Sequence, residues 1–477
     1  MIYFLPLLFY FACLIIIGEI SARKKIKNLD DFLLAGRKHG LFITSGSLAA
    51  TVIGAGSTIG AAGAAYYVGI SAAWYLLSAC VGLFILGFTL VPALREMSLY
   101  TIPEFIGKRY GERAGYLASF LSMIALILFL AAQFYALGAI FQQLTGISLK
   151  LATLIGATLV IFYTLRGGAW AVHLSDNFQL FVIILGMFFL CLLGLKYVEG
   201  FKTFYSPPLA MGFEELGKKW FHPLEKSAVN PGDIFGLRGT ILGWIIMSTT
   251  WHLTMQSTAQ RFLSAKDANT ARKSCLASAL ILIPISLSIA LAGMIARILC
   301  PDLPPAEGLS QGNALPALIT EILPPLLGGL LLAALIATIM STCDSTLLGA
   351  SSILLKDLHI NLNIRILILI VGTIGMVLAI VFPRLIQLLE WTAAIYCVSV
   401  SAPLILGIYW SGATEKGAVA TMVLTGIASG AWRLSGIESM TGIHFLIPAL
   451  VFSFMIMFIL NSFTITKKPH CPSKTRK

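Results

Sequence analysis

Apolar runs about 20 residues long recur along the whole chain, separated by short stretches rich in Lys, Arg, Gly and Pro. Thirteen of them read as helices: 2–20, 41–68, 72–97, 114–146, 148–165, 168–196, 234–259, 271–299, 324–355, 364–383, 385–411, 415–435 and 442–465. These lengths suit a bilayer crossing, so the pattern predicts an all-α polytopic membrane protein. The first run has no basic segment before it and no small-residue cleavage site after it, which predicts a retained helix and not a cleaved signal. The longest mainly polar stretch, about 197–232, is a loop, so 1–477 reads as one membrane domain.

Composition agrees with that class. The chain is 58% hydrophobic and 11% charged, against about 25% charged in a soluble domain. Its net charge of +12 comes with no basic face interleaved with aromatics, so nucleic acid is not an expected partner. Most of the 33 Lys and Arg residues fall in alternate loops on one side. That side includes Arg23, Lys24, Lys25, Lys27, Arg37 and Lys38, then Arg95, Arg261 and Lys266, and the tail from Lys467 to Lys477. The richer side is the cytoplasmic one. This predicts a cell-membrane protein with its N-terminus outside and its C-terminus inside.

Eight cysteines show no CxxC spacing and seven histidines no HExxH, so neither a metal cluster nor a metalloprotease is expected. No GxxxxGK[ST] loop is present either, which removes the simplest route to ATP-driven pumping. A membrane-embedded enzyme or sensor would need a catalytic cluster at the interface or an appended soluble domain, and the sequence displays neither. No organic cofactor is expected.

Polar residues inside the apolar runs carry the chemistry. Asp176 and Asp344 both lie within helix-length apolar stretches, where a carboxylate is costly and marks an ion or substrate path. Thr338, Ser341, Thr342 and Ser345 recur at i, i+3, i+4 and i+7, which puts four hydroxyls on one face of a helix. Such a stripe also serves close helix packing; the neighbouring Asp344 favours function. The run 41–68 is rich in glycine, with Thr51, Ser57 and Thr58 between. Its Gly56–Gly60 pair suits packing, but the run also predicts a helix broken near Thr51–Ser57, whose freed carbonyls hold a hard monovalent cation such as sodium.

Several motifs now fall into order. They are Asp31-Phe-Leu-Leu-Ala-Gly-Arg37, Thr101-Ile-Pro-Glu-Phe-Ile-Gly-Lys-Arg-Tyr110 and Gly167-Gly-Ala-Trp-Ala-Val-His-Leu-Ser-Asp176-Asn-Phe-Gln179. Gln256-Ser-Thr-Ala-Gln-Arg-Phe-Leu-Ser-Ala-Lys-Asp267, Met340-Ser-Thr-Cys-Asp-Ser345 and the Pro403–Gly417 stretch follow. In this order and spacing the chain resembles the sodium:solute symporters, from about Asp30 to Gly430.

The resemblance implies a LeuT-type fold: two inverted five-helix repeats at about 41–196 and 234–411, a leading helix and loop over 1–40, and two further helices with a basic tail over 412–477. It implies Na+-coupled symport of a small polar organic solute into the cell by alternating access. The sodium ligands it implies are the carbonyls of Ala50, Ile53 and Thr338 and the hydroxyls of Ser341 and Thr342. A second cation, or a proton, would be held by Asp176, Ser341, Asp344 and Ser345. The alternative on the same fold is a proton-coupled carrier in which Asp176 or Asp344 titrates. The solute is expected at midplane, with Gln133, Trp251, His252, Gln256, Glu390 and Trp391 as candidate contacts. Val52 stands where proline carriers show an acid, which weighs against proline.

Overall fold

The computed structural model describes residues 25–200, 241–303, 314–382, 385–435 and 445–462, with residue 437 and scattered positions between 9 and 20. Most of the predicted first helix, most of the predicted 197–232 loop, the start of the predicted 234–259 helix and the basic tail therefore lie outside the described residues. Among the described residues the regular structure is helical, with one isolated bridge between His39 and Ala265.

In chain order the helices are α1 (Leu29–Leu34), α2 (Leu41–Val52), α3 (Ala61–Val68), α4 (Trp74–Phe88), α5 (Leu90–Glu96) and α6 (Ile102–Tyr110). Then come α7 (Glu112–Thr145), α8 (Leu149–Leu165), α9 (Gly168–Tyr197), α10 (Ile241–Thr254), α11 (Gln256–Leu263) and α12 (Ala268–Leu299). The remainder are α13 (Ala314–Ile322), α14 (Pro325–Lys356), α15 (Ile364–Val381), α16 (Leu385–Thr392), α17 (Val398–Tyr409), α18 (Glu415–Leu434) and α19 (Leu446–Ser462). Six helical segments are long and apolar enough to cross a membrane, and a bent pair makes a seventh. The short helices α1, α6 and α13 have no counterpart among the thirteen predicted runs, and α11 continues the end of one of them.

Three breaks shape the bundle. The predicted 41–68 helix bends by 62° between Leu41–Val52 and Gly56–Tyr67. Ile53 is extended there (φ −83°, ψ 91°), and a wide π turn over Gly56–Gly60 leads into α3. The cause is local competition for hydrogen bonds. The Gly54 N–H, which would reach Ala50 in a continuous helix, donates instead to Ser57 Oγ at 2.8 Å. That hydroxyl in turn donates to the Val52 carbonyl at 3.0 Å.

The second break divides the predicted 234–259 helix, described from residue 241, at Met255 (φ −66°, ψ 121°), giving α10 and α11. The third lies at Gly168 (φ 52°, ψ −167°), between α8 and α9. Only glycine adopts that conformation without strain. A Cβ there would also sit 2.8 Å from Phe32 Cδ2 and 3.0 Å from the Phe32 carbonyl, so α1 is laid directly over the kink.

α14 runs through the middle and is buried along almost its whole length, against α7, α9 and α11. α12 packs on α2, α3 and α4. Its Gly293 lies where a Cβ would come within 2.7 Å of Ala65 Cβ. Membrane helices gain little from water exclusion, and small residues let backbones approach closely enough for van der Waals contact to hold them.

Candidate functional site

α2, α9, α11 and α14 meet one another at the centre of the bundle. α2 brings Ser47, Thr51 and the break after Val52, and α9 brings Asp176. α11 brings Arg261, and α14 brings the hydroxyl stripe. Asp176 and Arg261 are both completely buried, and Arg261 Nη2 lies 3.0 Å from Asp176 Oδ2. Ser47 donates to Asp176 Oδ2 and Ser341 to Oδ1, so the carboxylate is met from three helices. Arg261 Nε donates to Thr51 Oγ1 at 2.8 Å, and Nη2 donates to Ser345 Oγ. One ion pair thus ties four helices together.

This arrangement corrects the charge reading of the sequence. The charge pattern predicts Arg261 in a cytoplasmic loop, yet it is 0% exposed and forms part of the core. Arg95, predicted likewise, is also buried, with Nε donating to the Ala265 carbonyl at 2.6 Å. Arg261 supplies the cation that a buried Asp176 requires. Asp344 stands apart from that pair and accepts a hydrogen bond from Thr164 on α8. Ser47 and Thr164 carry no distinguishing sequence signal, and Arg261, two residues beyond the predicted 234–259 run, reads from the sequence as a loop charge.

The implied sodium ligands lie beside the break in α2. Gly54 faces α14 closely: a Cβ on it would lie 3.6 Å from Thr342 Oγ1 and 3.9 Å from Gln133 Oε1. The Thr342 hydroxyl donates to the Thr338 carbonyl at 3.1 Å, which leaves its lone pairs open. With the Gly54 N–H turned to Ser57, the Ala50 carbonyl is released from its helical bond. Ile53 lies within the extended turn itself. Carbonyl and hydroxyl oxygens are the donors a hard, weakly polarising cation takes, so the residues fit sodium.

The solute candidates separate. Gln133 is buried, and its Oε1 has no hydrogen-bond partner among the described residues. It faces the same break. Trp251 packs on Phe129 with ring centroids 5.4 Å apart, and His252 Nδ1 lies 3.4 Å from Thr258 Oγ1. Both ends of the Gln256 amide are engaged: Nε2 donates to the Tyr100 carbonyl at 2.8 Å, and Oε1 accepts from Ile102 N–H at 3.0 Å. Gln256 therefore anchors the loop before α6. Trp391 faces outward to α18, under the Arg433 guanidinium at 5.1 Å. The Glu390 side chain lies outside the described residues.

Comparison with known proteins gives this geometry a family. The chain is 26% identical over 488 residues to a sodium/pantothenate symporter of Escherichia coli (strain K12), covering 96% of each chain. It is 25% identical over 507 residues to a sodium/proline symporter of Staphylococcus aureus (strain JH9), covering 96% of this chain and 92% of the relative. Among solved structures it shares its fold with a Na+-coupled sialic acid symporter in a substrate-bound, outward-open state, at a TM-score of 0.79 and 19% identity. That likeness covers 97% of this chain and 98% of the other. A nucleobase-cation-symport-1 family transporter aligns at a TM-score of 0.52 and 15% identity, over 91% and 94% of the two chains. Residues 32–426, which include the broken α2 and the hydroxyl stripe of α14, match the sodium:solute symporter family, and the chain belongs to that family.

Proposed function

We infer that this protein is a transporter and not an enzyme, and that it couples Na+ entry to the uptake of a small polar solute across the cell membrane. The observation that carries this reading is the broken α2 facing the α14 hydroxyls, within a chain of this family. The coupling ion sits at the break, held by the carbonyls of Ala50, Ile53 and Thr338 and by the hydroxyls of Ser341 and Thr342. A proton-coupled carrier is not favoured, because the relatives named above are sodium symporters. A second cation shared by Asp176, Ser341, Asp344 and Ser345 requires Arg261 to leave the carboxylate during the cycle.

The solute site lies next to the sodium site, with Gln133 Oε1 as its first contact. Trp251 and His252 stand further along its wall on α10. Purified protein reconstituted into vesicles should take up its solute, identified by a thermal-shift screen with and without sodium, when a sodium gradient is imposed. Uptake that follows a pH gradient in the absence of sodium would sink the sodium reading.

The finer architecture is the thirteen-helix bundle with two inverted five-helix repeats. Its support is the matching break in the first helix of each half, at Ile53 and at Met255. The loops bearing Lys25, Lys38 and Lys266 face the cytoplasm under the positive-inside rule, with the N-terminus outside and the C-terminus inside. A cysteine placed at position 24 should react only with thiol reagents that cross the membrane. Labelling by an impermeant reagent from outside would reverse this orientation.

A further inference from the structure

On the face that carries the α11–α12 turn, the chain between α1 and α2 closes over the bundle through a small two-stranded bridge. His39 N–H donates to the Ser264 carbonyl at 3.3 Å, and Lys266 N–H donates to the His39 carbonyl at 3.0 Å. Arg95 clamps the same turn through the Ala265 and Lys266 carbonyls at 2.6 and 3.3 Å. Inside the bridge the His39 ring is 1% exposed and lies between two residues of α9. Its centroid is 4.4 Å from Trp170 and 4.6 Å from His173, which is itself fully buried. All four imidazole nitrogens lack a hydrogen-bond partner among the described residues. Two adjacent buried imidazoles with no partners are an expensive arrangement for a fold that gains nothing from it.

The surrounding charges fix which form the pair takes. Lys25, from the segment before α1, lies over Trp170 at 5.0 Å, and Arg261 of α11 acts on both rings. The acids on these elements are engaged elsewhere: Asp30 by Arg37, Asp31 by Lys38, Asp176 by Arg261, and Asp267 by the Thr270 N–H at the start of α12. A proton on either ring would thus enter a buried, cationic site with no counter-ion among the described residues. Once the bridge parts and water enters, that penalty disappears.

We propose that His39 and His173 form a proton-binding site that opens this bridge when the surrounding solution is acidic, so that protons regulate access to the central site from this side. The link to the core is direct, because the bridge ends on α11, which bears Arg261, and the ring stack ends on α9, which bears Asp176. The proposal goes beyond the sodium reading and stands independently of which ion drives transport.

Burial, Arg261 and Lys25 hold the His39 pKa down to about 4 while the bridge is closed, whereas a hydrated imidazole titrates near about 6.5. The open form therefore binds more protons between these values, and acid shifts the equilibrium towards it. One imidazole, that of His39, gives about a tenfold shift between about pH 7.5 and about pH 5.5.

Hydrogen-exchange mass spectrometry on the purified full chain tests this, with exchange times corrected for the intrinsic pH dependence. The peptides containing the His39 and Lys266 amides should lose about tenfold in protection across that pH range, while α14 stays protected. In His39→Gln/His173→Gln the loss should vanish. A pH-independent wild type, or a double variant that still opens with acid, overturns the proposal. If the double variant does not fold, His173→Gln alone, which leaves the backbone bridge untouched, must reduce the response; an unchanged response there overturns it equally.

Discussion

Replacing Arg261 with methionine is expected to lower the thermal stability of the purified protein sharply and to abolish sodium-driven uptake. The side chain is wholly buried and bonds Asp176, Thr51 and Ser345. Methionine fills much of the space but leaves the Asp176 carboxylate without a cation. Removing one partner of a buried pair costs about 3–5 kcal/mol, because the other charge remains uncompensated. Removing both charges costs far less, since well-packed neutral side chains often replace a buried pair at no loss. Asp176→Asn/Arg261→Met should therefore regain most of the melting temperature lost by the single variant, and Ser47 and Ser341 still find an amide to bond. Transport should stay impaired in the double variant. A single variant that melts like the wild type would show that the pair holds nothing together.

The second large effect is expected at the α2 break. Thr342→Ala and Ser341→Ala should each raise the sodium concentration for half-maximal stabilisation about tenfold, equivalent to about 1.4 kcal/mol of ion affinity. Thr342→Ser should behave like the wild type. Thr338→Ala should also stay within about twofold, because the contact proposed for this residue is its backbone carbonyl, which alanine keeps. Sodium-dependent melting measures this without knowledge of the solute, since an ion that binds only the folded state raises its stability in proportion to occupancy. Wild-type sodium dependence in both alanine variants removes α14 from the ion site.

Much of this was legible in the sequence, and the exceptions have physical causes. The break in α2 could be read because glycine and hydroxyl residues compete with the helix ladder over a short span, and the structure bends within the predicted stretch. Asp176 stood out because a carboxylate in an apolar run has no ordinary explanation. Its partner did not, because an arginine near a helix end has one. Met255 carries no breaker chemistry, so the division between α10 and α11 is set by tertiary packing, which single-chain periodicity does not encode. Gln256 reads as a pocket residue only through the family resemblance, which assigns a glutamine at this place to the solute. Its ligand turned out to be backbone, the Tyr100 carbonyl and the Ile102 amide.

The Asp176–Arg261 pair also bears on how the membrane potential enters the cycle. A carboxylate already neutralised by a guanidinium adds no net charge to the moving core. The current carried in each turnover is then that of the bound ion and solute, and the unloaded carrier reorients without contribution from this pair. The electric field, at about 2.3 kcal/mol per charge per 100 mV, acts on the loaded half of the cycle. An interior negative voltage thus draws the occupied carrier inward, and any voltage dependence of its return falls to groups other than this pair, with the buried Asp344 first among them.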